Sequence, residues 1–285
     1  MTTDLVVLSP SPLSPVVVNA LPALAPTTTL SSQANAARLI NVTDTPGLRA
    51  SMQTFAQQYG VDVVLVNGQK RLADFKLVAM DMDSTLITIE CIDEIADYCG
   101  LKAEVSAITE AAMRGEIKDF NESLTRRVAL LKGLDAGALD KVYEERLKLS
   151  PGAEPMLRGV QALGIKTLLV SGGFTFFTDR LKTRLGLDVT RANTLEIVDG
   201  KLTGRVLGEI VNAEVKARTV AEVAAQFGAT PDQAIVMGDG SNDLQMMAIA
   251  GLSVAFRAKP VVREKASVAF NHVGLDGLLS LFRAD

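Results

Sequence analysis

The chain is poor in sulfur and histidine, has no cationic excess and has no long uninterrupted apolar run. Its 285 residues contain two cysteines, Cys91 and Cys99. On one helix, eight residues apart, they would stand about 12 Å from each other along the axis, too far to bridge. With no other cysteine, a reduced, cytoplasmic-type chain is expected. There is no C-x-x-C pair and no His/Cys cluster of metal-binding type. The lone histidine, His272, is expected to be structural or solvent-exposed. The net charge is −4, with no block of basic residues. That balance argues against a nucleic-acid surface. Residues 5–37 carry no charge, but Pro10, Pro12, Pro15, Pro22 and Pro26 interrupt them. A membrane span needs about 20 continuous apolar residues, so no membrane association is expected. Asp4 stands where a secretion signal would be basic, so no signal peptide is expected. The 48% apolar content is ordinary for a globular protein. The length suits one large domain or two modest ones.

What is present is a set of strands that each end in a polar turn. Leu77-Val78-Ala79-Met80 reads as a short buried strand. It runs into Asp81-Met82-Asp83-Ser84-Thr85, two carboxylates one residue apart. Like charges at that spacing repel and raise each other's pKa, and a divalent cation would remove the objection. Mg²⁺ takes oxygen ligands, often one or two carboxylates plus a substrate phosphate. Taken alone, the five residues are equally compatible with a strand end followed by an acidic turn. A second strand, Ile165–Val170, ends in Ser171-Gly172-Gly173. A third, Gln233–Met237, ends in Gly238-Asp239-Gly240-Ser241-Asn242-Asp243. Between them, Lys216, Val220, Val223 and Phe227 form one helical stripe. A lysine at the head of such a stripe could simply reach for water. In an open α/β sheet, ligands sit beyond the carboxyl ends of the strands. Acidic, Ser/Gly and basic groups meeting there would make a phosphate and metal site.

These four segments, in this order, resemble the motifs of the haloacid dehalogenase superfamily, across residues 75–285. Within it, the chain is similar to the phosphoserine phosphatase family. The resemblance implies an α/β fold: a three-layer, doubly wound, mostly parallel sheet with an inserted helical cap and a small N-terminal α+β domain. It implies a Mg²⁺-dependent phosphatase that acts on a small molecule, O-phospho-L-serine, in serine biosynthesis. Asp81 would be the nucleophile, forming an aspartyl-phosphate. Asp83 would be general acid and then base. Mg²⁺ would be held by Asp81, the backbone carbonyl of Asp83, and Asp239. Asp243 would orient metal waters or Lys216. Ser171, Gly172, Lys216 and Asn242 would meet the phosphate end of the substrate. In the cap, Phe120, Leu124, Arg127, Val128 and Leu131 share a helical face. Arg127 would take the substrate carboxylate, Glu90 its ammonium, and Met113 and Phe120 would form an apolar wall. The stretch from Met113 to Phe120 is a residue longer than in several relatives, which bears on Met113 more than on Phe120. An internal salt bridge to a cap glutamate is the competing reading of Arg127.

The expected divisions are a Pro/Ser/Thr-rich tail over 1–35, a small βαβ unit over 36–73, catalytic core over 74–90 and 151–285, and helical cap over 91–150. Within the tail, Leu5–Leu8 and Val16–Val18 are strand-like. In the βαβ unit, Thr45-Pro46 predicts a helix start and Gly60 its end. The unit reads as a packing or dimerisation module, which leaves a homodimer open. Asp199-Gly200 predicts a two-residue hairpin. Three rival functions stand beside hydrolysis. A phosphotransferase would pass the phosphoryl group to another alcohol. A non-catalytic regulatory or binding protein would keep only the fold; four intact motifs speak against it. A receiver-type signalling domain also phosphorylates an aspartate, but a cap-sized insertion suits a small substrate better than a partner protein.

Overall fold

The computed structural model describes residues 2–25, 29–113, 116–117 and 119–283, with the Met113 side chain outside that set. The first unit contains β1 (Thr3–Leu8), α1 (Pro15–Ala20), β2 (Thr29–Ser32), β3 (Ala36–Val42), α2 (Pro46–Tyr59) and β4 (Asp62–Asn67). Its antiparallel sheet has the order β2-β3-β1-β4. The described part of residues 1–35 is therefore not a tail. β1 lies inside the sheet, paired on one side with β3 and on the other with β4. The βαβ unit is correspondingly split, because β1 stands between its two strands. Val16–Val18 are helical rather than extended. Ser14 accepts the Val17 N–H and Pro15 occupies the first turn, so a capped start overrides β-branched propensity. Thr45 and Gly60 bound α2 as expected, with Gly60 at φ 63°.

The catalytic-side sheet has seven strands in the order β11-β10-β9-β5-β6-β7-β8. In chain order, β5 (Leu77–Met80) is followed by four helices: α3 (Cys91–Tyr98), α4 (Lys102–Met113), α5 (Phe120–Leu130) and α6 (Gly137–Glu145). Then come α7 (Ala153–Ala162), β6 (Lys166–Phe174), α8 (Thr175–Leu185), β7 (Val189–Val198) and β8 (Lys201–Leu207). The chain continues through α9 (Ala213–Gln226), β9 (Ala234–Gly238), α10 (Leu244–Ile249), β10 (Leu252–Phe256), α11 (Pro260–Lys265), β11 (Val268–Phe270) and α12 (Gly277–Ser280). Neighbours from β11 through β7 are parallel, and only β8 runs antiparallel. The β7–β8 turn puts Asp199 at φ 50° and Gly200 at φ 74°, the pairing that a two-residue hairpin needs. Alternate residues of the central strands feed opposite layers. Val78, Met80, Leu169 and Met237 pack with α7, α8 and α12. Leu77, Ala79, Leu168 and Val236 pack with α9, α10 and α11. Among the described residues, no helix is long and apolar enough to cross a membrane.

The N-terminal sheet also serves two layers. Leu5, Val7 and Leu39 face α1 and α2. Val6, Leu8, Val64 and Val66 face the catalytic core. At roughly 1.5–3 kcal/mol for each such side chain, apolar burial dominates this docking. Polar contacts fix its register. Asp4 is fully buried and accepts two hydrogen bonds from Arg283, at 2.8 Å each, and one from Arg38 at 3.0 Å. Arg38 also donates to the Leu281 carbonyl at 2.8 Å. Asp62 accepts the N–H groups of Asn271, His272 and Val273 at 2.9–3.0 Å.

Burial alone would raise the Asp4 pKa, but Arg283, the Asn41 N–H and Arg38 outweigh it and hold the carboxyl below its ordinary value. A depressed folded-state pKa adds stability above the unfolded value, about 3.9. That stability fades as pH falls through the lower folded value. Asp4→Asn leaves Arg38 and Arg283 facing each other, and we expect it to cost about 3 kcal/mol at pH 7. Urea denaturation checks this. The gap between wild type and variant should narrow below pH ~4; a gap independent of pH would show that the charge of Asp4 is irrelevant.

Candidate active site

Asp81 continues β5 by one residue, its N–H donating to the Met237 carbonyl at 3.0 Å. The chain then leaves the sheet in a tight turn. Leu86 and Ile87 donate to the carbonyls of Asp81 and Met82, and Ser84 is at φ 55°. A non-glycine residue in that region costs on the order of 1–3 kcal/mol. The turn turns the side chains of Asp81 and Asp83 into one cavity. Ser84 Oγ donates to Glu90 at 2.6 Å, which ties the turn to the start of α3. The second motif enters by a bulge. β6 pairs with β7 up to Val170 and resumes only at Phe174, so Ser171, Gly172 and Gly173 loop out of the ladder. Ser171 is buried and accepts the Gly173 N–H at 2.9 Å.

Lys216 is completely buried. Its ammonium lies 2.9 Å from Asp81 and 2.8 Å from Asp243. Burial works against that charge, but the two carboxylates prevail and push its pKa up. The other oxygen of Asp243 accepts the N–H groups of Asp239 and Gly240 at 3.1 and 3.0 Å. Thr85 donates to Asp239 at 3.0 Å. Oxygens of Asp81, Asp239 and Asp243 lie within 4.8 Å of one another. At an effective dielectric constant of about 20, like charges at that distance repel by roughly 3 kcal/mol per pair. Burial, with Asp243 nearby, raises Asp81 well above the usual carboxylate range and Asp239 to about 6. Fully ionised, the three carboxylates would exceed the one ammonium by two negative charges. The donor set therefore fits a divalent, oxygen-seeking cation. The Asp83 carboxylate stands outside that trio, accepting the Cys91 N–H at 3.3 Å. Burial, with Glu90 nearby, raises it to about 7.

The cavity has a volume of about 540 Å³. Asp81, Asp83, Ser171, Gly172, Asp239 and Asn242 line its core side, and Glu90, Phe120 and Arg127 its cap side. Lys216 and Asp243 stand behind the lining rather than in it. Phe120 leans over the core: a Cβ added to Gly172 would meet its ring at 2.9 Å. Arg127 is half-buried and donates from Nε to the Ser123 carbonyl at 3.4 Å. Among the described residues it has no ion-pair partner, so the salt-bridge reading of Arg127 finds no support. The Met113 side chain, expected in the apolar wall, lies outside the described residues.

Sequence reasoning missed three contributors. Asn193 on β7 is buried. It donates to the Gly172 carbonyl and accepts the Val211 N–H, both at 2.8 Å, and so holds the bulge from behind. A lone asparagine inside a strand pattern was the one available sign. Thr85 orients Asp239 from within a motif already noted. Asp93, three residues after Glu90 on α3, also lines the cavity.

Gly238 marks where the site tolerates no side chain. A Cβ there would stand 2.6 Å from Asp243 Cγ and closer still to its Oδ2. Gly238→Ala must displace the carboxylate that holds Lys216 and the Asp239 loop. We expect a loss of about 1–3 kcal/mol of stability together with weakened divalent-cation binding. Thermal unfolding and titration calorimetry check both; unchanged cation affinity would show that Asp243 is dispensable to the cluster.

Comparison with known proteins agrees with this geometry. The sequence model of the haloacid dehalogenase-like hydrolase family matches residues 78–248. A phosphoserine phosphatase of Polaromonas sp. is 57% identical over 228 residues, covering 79% of this chain and 97% of its own. The crystal structure of a probable phosphoserine phosphatase from Vibrio cholerae, in unliganded form, superposes with a TM-score of 0.83 at 36% identity, covering 97% of this chain and 86% of that one. A structure described as a phospho-aspartyl intermediate analogue of phosphoserine phosphatase superposes at 0.68 with 38% identity, covering 73% and 99%. The matched segment runs from β5 into α10 and carries every motif that faces the cavity. By its sequence and by the way its strands deliver those motifs, the chain belongs to the haloacid dehalogenase-like hydrolases.

Proposed function

We propose that this chain is a Mg²⁺-dependent phosphatase that hydrolyses O-phospho-L-serine to L-serine and phosphate, the last step of serine biosynthesis, in the cytoplasm. One observation carries the reading. A single cavity joins a core end built for a phosphoryl group to a cap end where Arg127 has no ion-pair partner among the described residues and Glu90 offers a negative charge. Phosphoserine carries a phosphate at one end and a carboxylate and an ammonium at the other. The relatives named above support the same substrate.

In the first step a carboxylate oxygen of Asp81 attacks phosphorus. The new O–P bond forms as the bond to the serine oxygen breaks, giving an aspartyl-phosphate. Asp83 donates its proton to the departing oxygen. A pKa of about 7 lets it hold that proton near neutral pH and release it readily. In the second step Asp83 takes a proton from water as the water attacks the phosphorus. The Asp81–phosphorus bond breaks and phosphate leaves. Ser171 and the N–H groups around Gly172 meet the phosphate oxygens, as Asn242 does from the facing loop. Lys216 keeps Asp81 in place and offsets the charge gathering there. Mg²⁺, held by Asp81, Asp239 and the Asp83 carbonyl, would supply further charge neutralisation for the phosphoryl group. Arg127 matches the substrate carboxylate as a planar fork. Phe120 closes over the substrate from the cap.

Release of phosphate from phosphoserine should require Asp81 and the cation together. We expect Asp81→Asn to fold and to retain on the order of a thousandth of the turnover or less. EDTA should silence the wild type and Mg²⁺ restore it. Full activity in EDTA, or in Asp81→Asn, would refute the mechanism.

Arg127→Ala should discriminate between substrates. With phosphoserine, kcat/KM should fall by on the order of 10²–10⁴, because a site that bonds a polar group rejects its absence strongly. With phosphoethanolamine, which lacks the carboxylate, the loss should be small. Equal losses on the two would make Arg127 structural and weaken phosphoserine as the substrate.

A further inference from the structure

Among the described residues, one buried side-chain oxygen or nitrogen has no hydrogen-bond partner: Oδ1 of Asp93. Buried polar groups are nearly always paired, so an orphan calls for a reason. Asp93 lies on α3, three residues after Glu90, and lines the same cavity as Arg127. Arg127 is incomplete as well. A guanidinium offers five N–H donors, and among the described residues the one bond formed by Arg127 is the 3.4 Å contact from Nε to the Ser123 carbonyl. Two half-satisfied groups of opposite charge thus face one cavity from two cap helices.

Other partners suit Asp93 less well. The acidic cluster of Asp81, Asp239 and Asp243 does not include it. Glu90 is already engaged by Ser84 at 2.6 Å. Lys102 and Glu94 also act on Asp93, but Arg127 is the strongest charge felt by it, and Asp93 is the strongest charge felt by Arg127. Burial opposes both charges; each favours the charged form of the other.

We propose that Asp93 is a positioning residue for Arg127, accepting one edge of the guanidinium so that the other is presented to the substrate carboxylate. A long arginine side chain loses conformational entropy when it is fixed. The two groups are not hydrogen-bonded in this structure; their contact forms as the substrate carboxylate draws the guanidinium in, and it then fixes the plane of the fork. Recognition of the carboxylate then depends on a residue that never touches it. The proposal rests on the reading of Arg127 given above.

Three phosphomonoesters separate the roles: phosphoserine, 3-phosphooxypropanoate (carboxylate but no ammonium) and phosphoethanolamine (ammonium but no carboxylate). Asp93→Asn keeps the size of the side chain and removes its charge. We expect KM to rise about tenfold on the two substrates that carry a carboxylate, roughly the worth of one charge-assisted hydrogen bond. We expect kcat to hold, and phosphoethanolamine to be handled nearly as before. In an Arg127→Ala background, Asp93→Asn should cost nothing further. Equal losses on all three substrates would make Asp93 structural and overturn the proposal. So would losses confined to the ammonium-bearing pair, or additive losses in the double variant. Arg127→Ala alone reports on the underlying reading. If its cost ignores the carboxylate, that reading falls and the proposal with it. If its cost follows the carboxylate while that of Asp93→Asn does not, the proposal alone falls.

Discussion

The site depends on a buried ammonium held between two carboxylates. Lys216 comes from α9, Asp81 from the end of β5 and Asp243 from the turn after β9, so one cation ties three segments together. At about 3 Å and an effective dielectric constant of about 20, each pair attracts by roughly 5–6 kcal/mol. Desolvating the ions costs several kcal/mol apiece. The terms nearly cancel, so the cluster adds little net stability. Its value is positional. The surrounding apolar layers hold the charges where water would otherwise separate them, and the second oxygen of Asp243 fixes the Asp239 loop through two backbone N–H groups.

Core and cap are finished to different degrees. At the core end of the cavity, Asp81, Ser171, Lys216, Asp239 and Asp243 all have partners at 2.7–3.1 Å. On the cap, among the described residues, Arg127 makes one long bond and Asp93 leaves an oxygen unpaired. Preorganised dipoles stabilise developing charge because they need not move during the reaction. Recognition groups can instead complete their bonding when substrate arrives. Phe120 joins the halves by lying against the Gly172 backbone.

The catalytic half was legible because its signals are local. An apolar run followed at once by Asp, Ser-Gly or Gly-Asp names a strand and its carboxyl end together, and a helical stripe headed by Lys216 names the face it buries. The N-terminal unit defeated the same reasoning. Leu5–Leu8 looks like a strand, but its place in a sheet depends on Ala36–Val42 and Asp62–Asn67, far along the chain. At Val16–Val18, β-branched residues lost to the Ser14-Pro15 start signal. Asn193 acts through contacts that only the tertiary fold creates, and Asp93 comes to line the cavity only once α3 is packed. Each is an ordinary polar residue in its own stretch of sequence.

The docking of the N-terminal sheet has a consequence for the order of assembly. Asp4, Asp62 and the apolar face of Val6, Leu8, Val64 and Val66 find their partners in residues 271–283 and the core they belong to. During synthesis these N-terminal strands must wait for residues 271–283. Domains generally fold as they emerge, and non-local pairings form slowly. Until residues 271–283 leave the ribosome, the nascent sheet carries an uncovered apolar face and Asp4 has Arg38 but not Arg283, a stretch of time in which a chaperone could hold the chain.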